Sequence, residues 1–203
     1  MKKVFILLAA VAVLIGCSCE NKKTPEVVAK ADLNVEKVIS VDREHMYLSY
    51  GEGYRWFESC ILLKDYLDEE CDGTVSGISN VFQVITDMNS KSADVFVVLA
   101  AHTPDTTSYE VKHGFWIEDM PLNEAEISLT FKDAFEKINQ VNLPKPHSKN
   151  CVLRKPVGPK DCNAQYVFGN TQATLWVDAV TGEVKESCPA FPEELKMPLG
   201  EWP

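Results

Sequence analysis

Three apolar runs in close succession, Thr74 to Thr86, Asp94 to His102 and Tyr109 to Glu118, constrain the fold of this chain more than any other feature. Each is rich in Val, Ile, Phe and Thr, residue types that suit a pleated, half-buried surface. The polar segments between them are too short to hold the crossover helix that a parallel pair requires. Antiparallel hairpins are the economical connection.

The spacing predicts a helix ahead of these strands. From Tyr54 to Leu67 the apolar residues Trp56, Phe57, Cys60, Ile61, Leu63 and Leu67 recur at three- and four-residue steps, opposite Glu58, Lys64, Asp65 and Asp68, and Gly73 provides a stop. The same order returns downstream. Thr130-Phe131-Lys132-Asp133 has the capping-box form, Phe131, Ala134, Phe135, Ile138 and Val141 form one helical stripe, and Pro144 and Pro146 end it. Strand-like segments follow at Cys151 to Lys155, Ala164 to Gly169 and Thr171 to Asp178, with a short one from Glu183. The expected fold class is α+β, a helix packed on an antiparallel sheet, with two tandem α-β(3–4) units over residues 35–120 and 121–187. Phe115-Trp116-Ile117-Glu118 and Leu175-Trp176-Val177-Asp178 are the local likeness between the halves.

Both ends have a different character. Lys2 and Lys3 precede an apolar run from Val4 to Ile15, and Leu14-Ile15-Gly16-Cys17 reads as a lipobox closing a secretory signal. The run is shorter than the ~20 residues needed to span a bilayer. Cleavage would leave Cys17 as an acylated N-terminus, so the chain is expected in the bacterial cell envelope, lipid-anchored to a membrane. Residues 17–34 suit a flexible tether, and 188–203 hold four prolines in a tail. Without residues 1–16 the chain has 187 residues, 18 basic against 30 acidic side chains and a formal balance of −12. Such a charge disfavours nucleic acid as a partner and favours a basic protein surface.

At the second half the sequence resembles a known family. Leu175 to Val184, Leu-Trp-Val-Asp-Ala-Val-Thr-Gly-Glu-Val, is similar to the terminal strand signature of PepSY domains. Ser128 to Ile138 resembles that family's opening helix, with Ala134 on the inner face. Resemblance to the PepSY and beta-lactamase-inhibitor-like group implies a helix on a curved antiparallel sheet, often in tandem. It also implies exported proteins, some of which restrain secreted peptidases or bind other proteins. Asp178, Thr181, Gly182 and Glu183 carry the signature, and their physical role is a turn: Asp accepts backbone hydrogens and Gly takes positive φ.

Conventional catalytic patterns are missing from the sequence. His45, His102, His113 and His147 form no His-Glu-x-x-His motif, and there is neither a Gly-x-Ser-x-Gly elbow nor a phosphate-binding loop. No Cys-x-x-Cys spacing supports zinc, so neither metal nor other cofactor is expected. Of the cysteines, Cys151 and Cys162 flank Pro156-Val157-Gly158-Pro159, and a hairpin there is expected to set them opposite each other as a disulfide. Cys60 is expected to be a small core residue of the first helix. Asp68, Glu69 and Glu70, with Asp65 and Asp72, crowd the C-terminal end of that helix, where the helix dipole disfavours carboxylates; they are candidate contacts for a basic partner or a cation. The expectation is a nonenzymatic protein-binding or inhibitory lipoprotein. The alternative is a small-ligand carrier or enzyme with a pocket between helix and sheet, drawing on His102, His113, Trp116 or Trp176.

Overall fold

A computed structural model describes residues 33–68, 70–86, 94–157 and 162–186. The chain runs α1 (Val35–Tyr50), β1 (Tyr54–Leu63), β2 (Val75–Ile85), β3 (Val95–His102), β4 (Thr107–His113), β5 (Asp119–Met120), α2 (Phe131–Gln140), β6 (Asn150–Pro156), β7 (Gln165–Gly169), β8 (Thr174–Asp178) and β9 (Val184–Lys185). The class is α+β. The strands form one antiparallel sheet in the order β4-β3-β2-β1-β6-β7-β8-β9, with β5 paired to β6. Each half is thus a helix followed by a four-stranded meander, and the halves abut through their first strands, β1 and β6.

The expected helix at Tyr54–Leu67 is corrected to strand: Tyr54–Leu63 is β1, hydrogen-bonded to β2 on one side and β6 on the other. Two properties of β1 imitate a helical stripe. Its central place buries residues on both faces, and a register shift between Trp56 and Glu58 offsets the alternation by one residue. Trp56, Ser59, Ile61 and Leu63 consequently share one face. The helix of this half lies earlier. In α1 the Asn34 side chain accepts from Lys37 N at 2.8 Å, Gly51 at φ 60° ends the helix, and Val35, Val38, Ile39, Asp42 and Met46 are buried. That stripe escapes sequence reading because Asp42 interrupts it.

The second helix matches its sequence signals. Thr130 Oγ1 accepts from Asp133 N while Asp133 accepts from Thr130 N, which completes the capping box, and Phe131, Ala134, Phe135 and Ile138 face the core. Such caps contribute about 1 kcal/mol. Both helices cover the same face of the sheet, where Phe82, Leu153, Tyr166, Phe168, Leu175 and Val177 join them in one apolar core. Glu36 of α1 accepts from Phe131 N at 2.7 Å, so the first turn of α1 also caps α2.

Residues 115–118 are not part of β4. That strand stops at His113, Gly114 turns the chain at φ 132°, and Trp116 N donates to the Gln83 side chain at 2.8 Å. From there the chain enters the seam between the halves. Asp119 and Met120 pair with Pro156 and Lys155, and Leu122 N donates to Trp56 O at 2.7 Å, so this segment wedges between β1 and β6 where they diverge.

Candidate functional site

The sheet has two unlike faces. On the helix-covered face, α1 places Asp42 over β2 and β3, and its carboxyl collects three donors. Asn80 Nδ2 lies at 2.6 Å, His102 Nε2 at 2.8 Å and Tyr109 Oη at 2.9 Å. His102 Nδ1 lies 3.1 Å from Thr107 Oγ1, and Ser59 Oγ bonds Asn80 in turn. Asp42, Ser59, Asn80 and His102 are all buried. Burial, followed by the nearby Asp42 charge, raises the Tyr109 hydroxyl well above its ordinary value. A histidine and a carboxyl meet here, but His102 is only 2 % exposed, so substrate has no access to it. The chemistry this arrangement supports is structural: α1 is pinned to the sheet through a satisfied buried network.

No helix among the described residues covers the opposite face. Strand parity places Cys60, Leu62, Leu99, Ala101, Val152, Val167 and Trp176 there, each at least partly exposed. A cleft of about 460 Å³ lies among Cys60, Leu62, Gly77, Ser79, Asn150 and Val152. Beside it, at the seam, Glu58 of β1 meets Asp119 of β5 and Arg154 of β6. Arg154 Nε donates to Asp119 Oδ1 at 2.6 Å, and Cys60 Sγ lies 3.0 Å from Glu58 Oε1.

The Asp119 charge beside Glu58 favours the protonated form of the Glu58 carboxyl. Asp119 Oδ2 is buried without a hydrogen-bond partner among the described residues. Burial above all, then the neighbouring Asp119 carboxyl, raises the Glu58 carboxyl from 4.5 to about 7 against the opposing pull of Cys60 and Arg154. The Cys60 thiol is pushed up to about 12 by burial first and by Glu58 second, so it is not a thiolate nucleophile.

The residues singled out in the sequence are dispersed. Cys17 and Glu69 lie outside the described residues. Asp68 follows β1 in a loop, its carboxyl 2.7 Å from His147 Nδ1, and His147 stacks on Tyr66 at 4.1 Å. Glu70 is exposed nearby. Asp65, Asp68, Glu70 and Asp72 follow a strand and not a helix, so no helix dipole opposes them. Asp178 Oδ1 accepts from Val180 N at 2.9 Å and Thr181 N at 2.8 Å, Gly182 takes φ 75°, and Asp178 N donates to Glu183 O at 2.9 Å. Partial burial opposes ionisation of Asp178, yet the hydrogen bonds from Thr181, Asn163, Val180 and Gln165 hold its carboxyl below the ordinary value.

The expected Cys151–Cys162 disulfide is corrected by the register of β6 and β7. Cys151 stands opposite Phe168 and Arg154 opposite Gln165, which carries Cys162 past the far end of the pair. Cys151 is a free, wholly buried thiol, raised well above its usual value by desolvation and then by Cys60. Cys60 itself sits on the open face of β1 and not in a helix.

His113 is exposed, His102 is sealed beneath α1, and Trp176 lies on the opposite face, so these three share no pocket. Sequence reading missed Asp42 and the Glu58–Asp119–Arg154 group. Asp42 carries a visible signal, a lone carboxyl within a stripe of Val35, Val38, Ile39 and Met46. The seam group has none, since its members come from three strands far apart in the chain. Among the described residues no group of His, Cys, Asp and Glu could hold a metal ion, and no helix is long and apolar enough to cross a membrane. No family model, curated protein or solved structure matches this chain.

Proposed function

We propose that this protein is an exported lipoprotein, held to a membrane of the bacterial cell envelope by an acylated Cys17, and that its PepSY-like units form a nonenzymatic protein-binding or inhibitory module. On this reading the two helix-plus-meander halves are divergent copies of one unit. Their common element order and their junction through first strands support it.

The observation that carries the binding role is the sheet face that no helix among the described residues covers. Leu62 is 45 % exposed, and Val152, Val167 and Trp176 are partly exposed beside it, on strands that hydrogen bonds hold rigid. Apolar side chains fixed in this way suit another protein's surface, because little conformational entropy is lost when they are covered. The acidic balance of the chain adds attraction for a basic partner. The alternative of a carrier or enzyme draws less support, since His102 is sealed and the Cys60 thiol is held protonated.

Affinity capture from envelope extract, with Leu62→Lys and Trp176→Ala variants alongside the unaltered chain, tests the reading. Loss of a specific partner from variants that melt normally supports it. Recovery of the same proteins by all three chains would exclude a site on this face.

A further inference from the structure

Strand β4 ends the sheet, and its outer edge is paired with no strand among the described residues. The direction of its free backbone groups follows from the ladder to β3. Gly114 N donates to Val95 O, and Thr103 and Thr106 exchange bonds across the turn. In the intervening register, Ser108, Glu110 and Lys112 therefore direct their N–H and C=O groups toward β3. Thr107, Tyr109, Val111 and His113 direct theirs outward. An exposed edge with free groups at alternate residues is a template for another strand.

We infer that the partner which fits this edge is a second copy of the same chain, joined β4 to β4 about a two-fold axis at Val111. In an antiparallel pair only outward-directed residues can exchange hydrogen bonds, which limits the registers to a few. With the axis at Val111, Val111 pairs with its own copy and Tyr109 with His113 of the other chain, closing six backbone hydrogen bonds. The same register sets Glu110 opposite Lys112 of the other chain, twice, on the face away from the helices. Shifting the axis to residue 110 opposes Glu110 to Glu110, and shifting it to residue 112 opposes Lys112 to Lys112. Directly opposed like charges are destabilising and opposite charges stabilising, so charge selects the Val111 axis.

Within one chain Glu110 and Lys112 already lie side by side at 3.2 Å, at 63 % and 56 % exposure, so both are free to reach across. Val111, at the centre of this edge, is 54 % exposed.

Sedimentation equilibrium of the full-length chain in density-matched detergent tests the assignment through charge reversal. The unaltered protein is expected to show a monomer–dimer equilibrium. Glu110→Lys opposes lysine to lysine and Lys112→Glu opposes glutamate to glutamate, so each alone is expected to lose about tenfold or more in dimer affinity. The double reversal restores both pairs, as does an equimolar mixture of the two single variants, which then forms a heterodimer. A chain that stays monomeric, a dimer indifferent to Glu110→Lys, or a mixture that fails to associate would overturn the proposal.

Discussion

Protonation of Glu58 ties the stability of the seam to pH, and Glu58→Gln isolates the effect. In the folded chain the Glu58 carboxyl titrates near 7 in place of 4.5, so between these values the native state binds more protons than the unfolded state. Stability therefore falls as pH rises through that window; below it nothing is lost, and above it the loss is complete. At about 1.4 kcal/mol per pKa unit the upper bound is roughly 3 kcal/mol. Solvent screening at the seam, where the Arg154 side chain is 30 % exposed, brings the expected loss to about 2 kcal/mol. A glutamine stays neutral at every pH, and its amide offers a donor beside the unpartnered Asp119 Oδ2. Urea denaturation at pH 4.5 and pH 8 should show Glu58→Gln near parity with the unaltered chain at the lower pH and about 2 kcal/mol more stable at the higher. The corresponding rise in melting temperature at pH 8 is about 4–8 °C for a domain of this size. Other groups titrate in both chains and cancel in the difference. An equal stability difference at the two pH values would refute the raised protonation of Glu58 in the folded chain.

Removing the acceptor at the centre of the buried network by Asp42→Ala leaves the donors of Asn80, His102 and Tyr109 without it, and about 3–5 kcal/mol of stability should be lost in chemical denaturation. A loss under 1 kcal/mol would show that the network does not hold α1 to the sheet. The proposed anchor is tested by Cys17→Ala, which should move the protein from the membrane fraction to the soluble fraction while leaving its melting temperature unchanged. Retention in the membrane fraction would contradict acylation at that position.

Several elements were legible because their signals are local. The capping box at Thr130 and Asp133, the stripe from Phe131 to Ile138, the runs that became β2 and β3, and the Asp178–Gly182 turn each depend on residues within a few positions of one another. β1 was misread because a doubly buried strand with a bulge loses its alternation. Helix α1 was missed because a carboxyl stands in its apolar stripe, and that carboxyl is favourable only when Asn80, His102 and Tyr109 arrive from β2, β3 and β4.

Propensity, capping and short connections act between near neighbours, so an α+β chain with antiparallel hairpins could be read from the order of residues alone. Only the tertiary structure decided that β1 and β6 join the two halves into one sheet, that Cys151 faces Phe168 and not Cys162, and that Glu58, Asp119 and Arg154 meet at the seam. The physical reason is common to all three. Register between strands distant in the chain is settled by burying one face of the whole sheet at once, and a shift of one residue would turn every side chain of a strand to the wrong face.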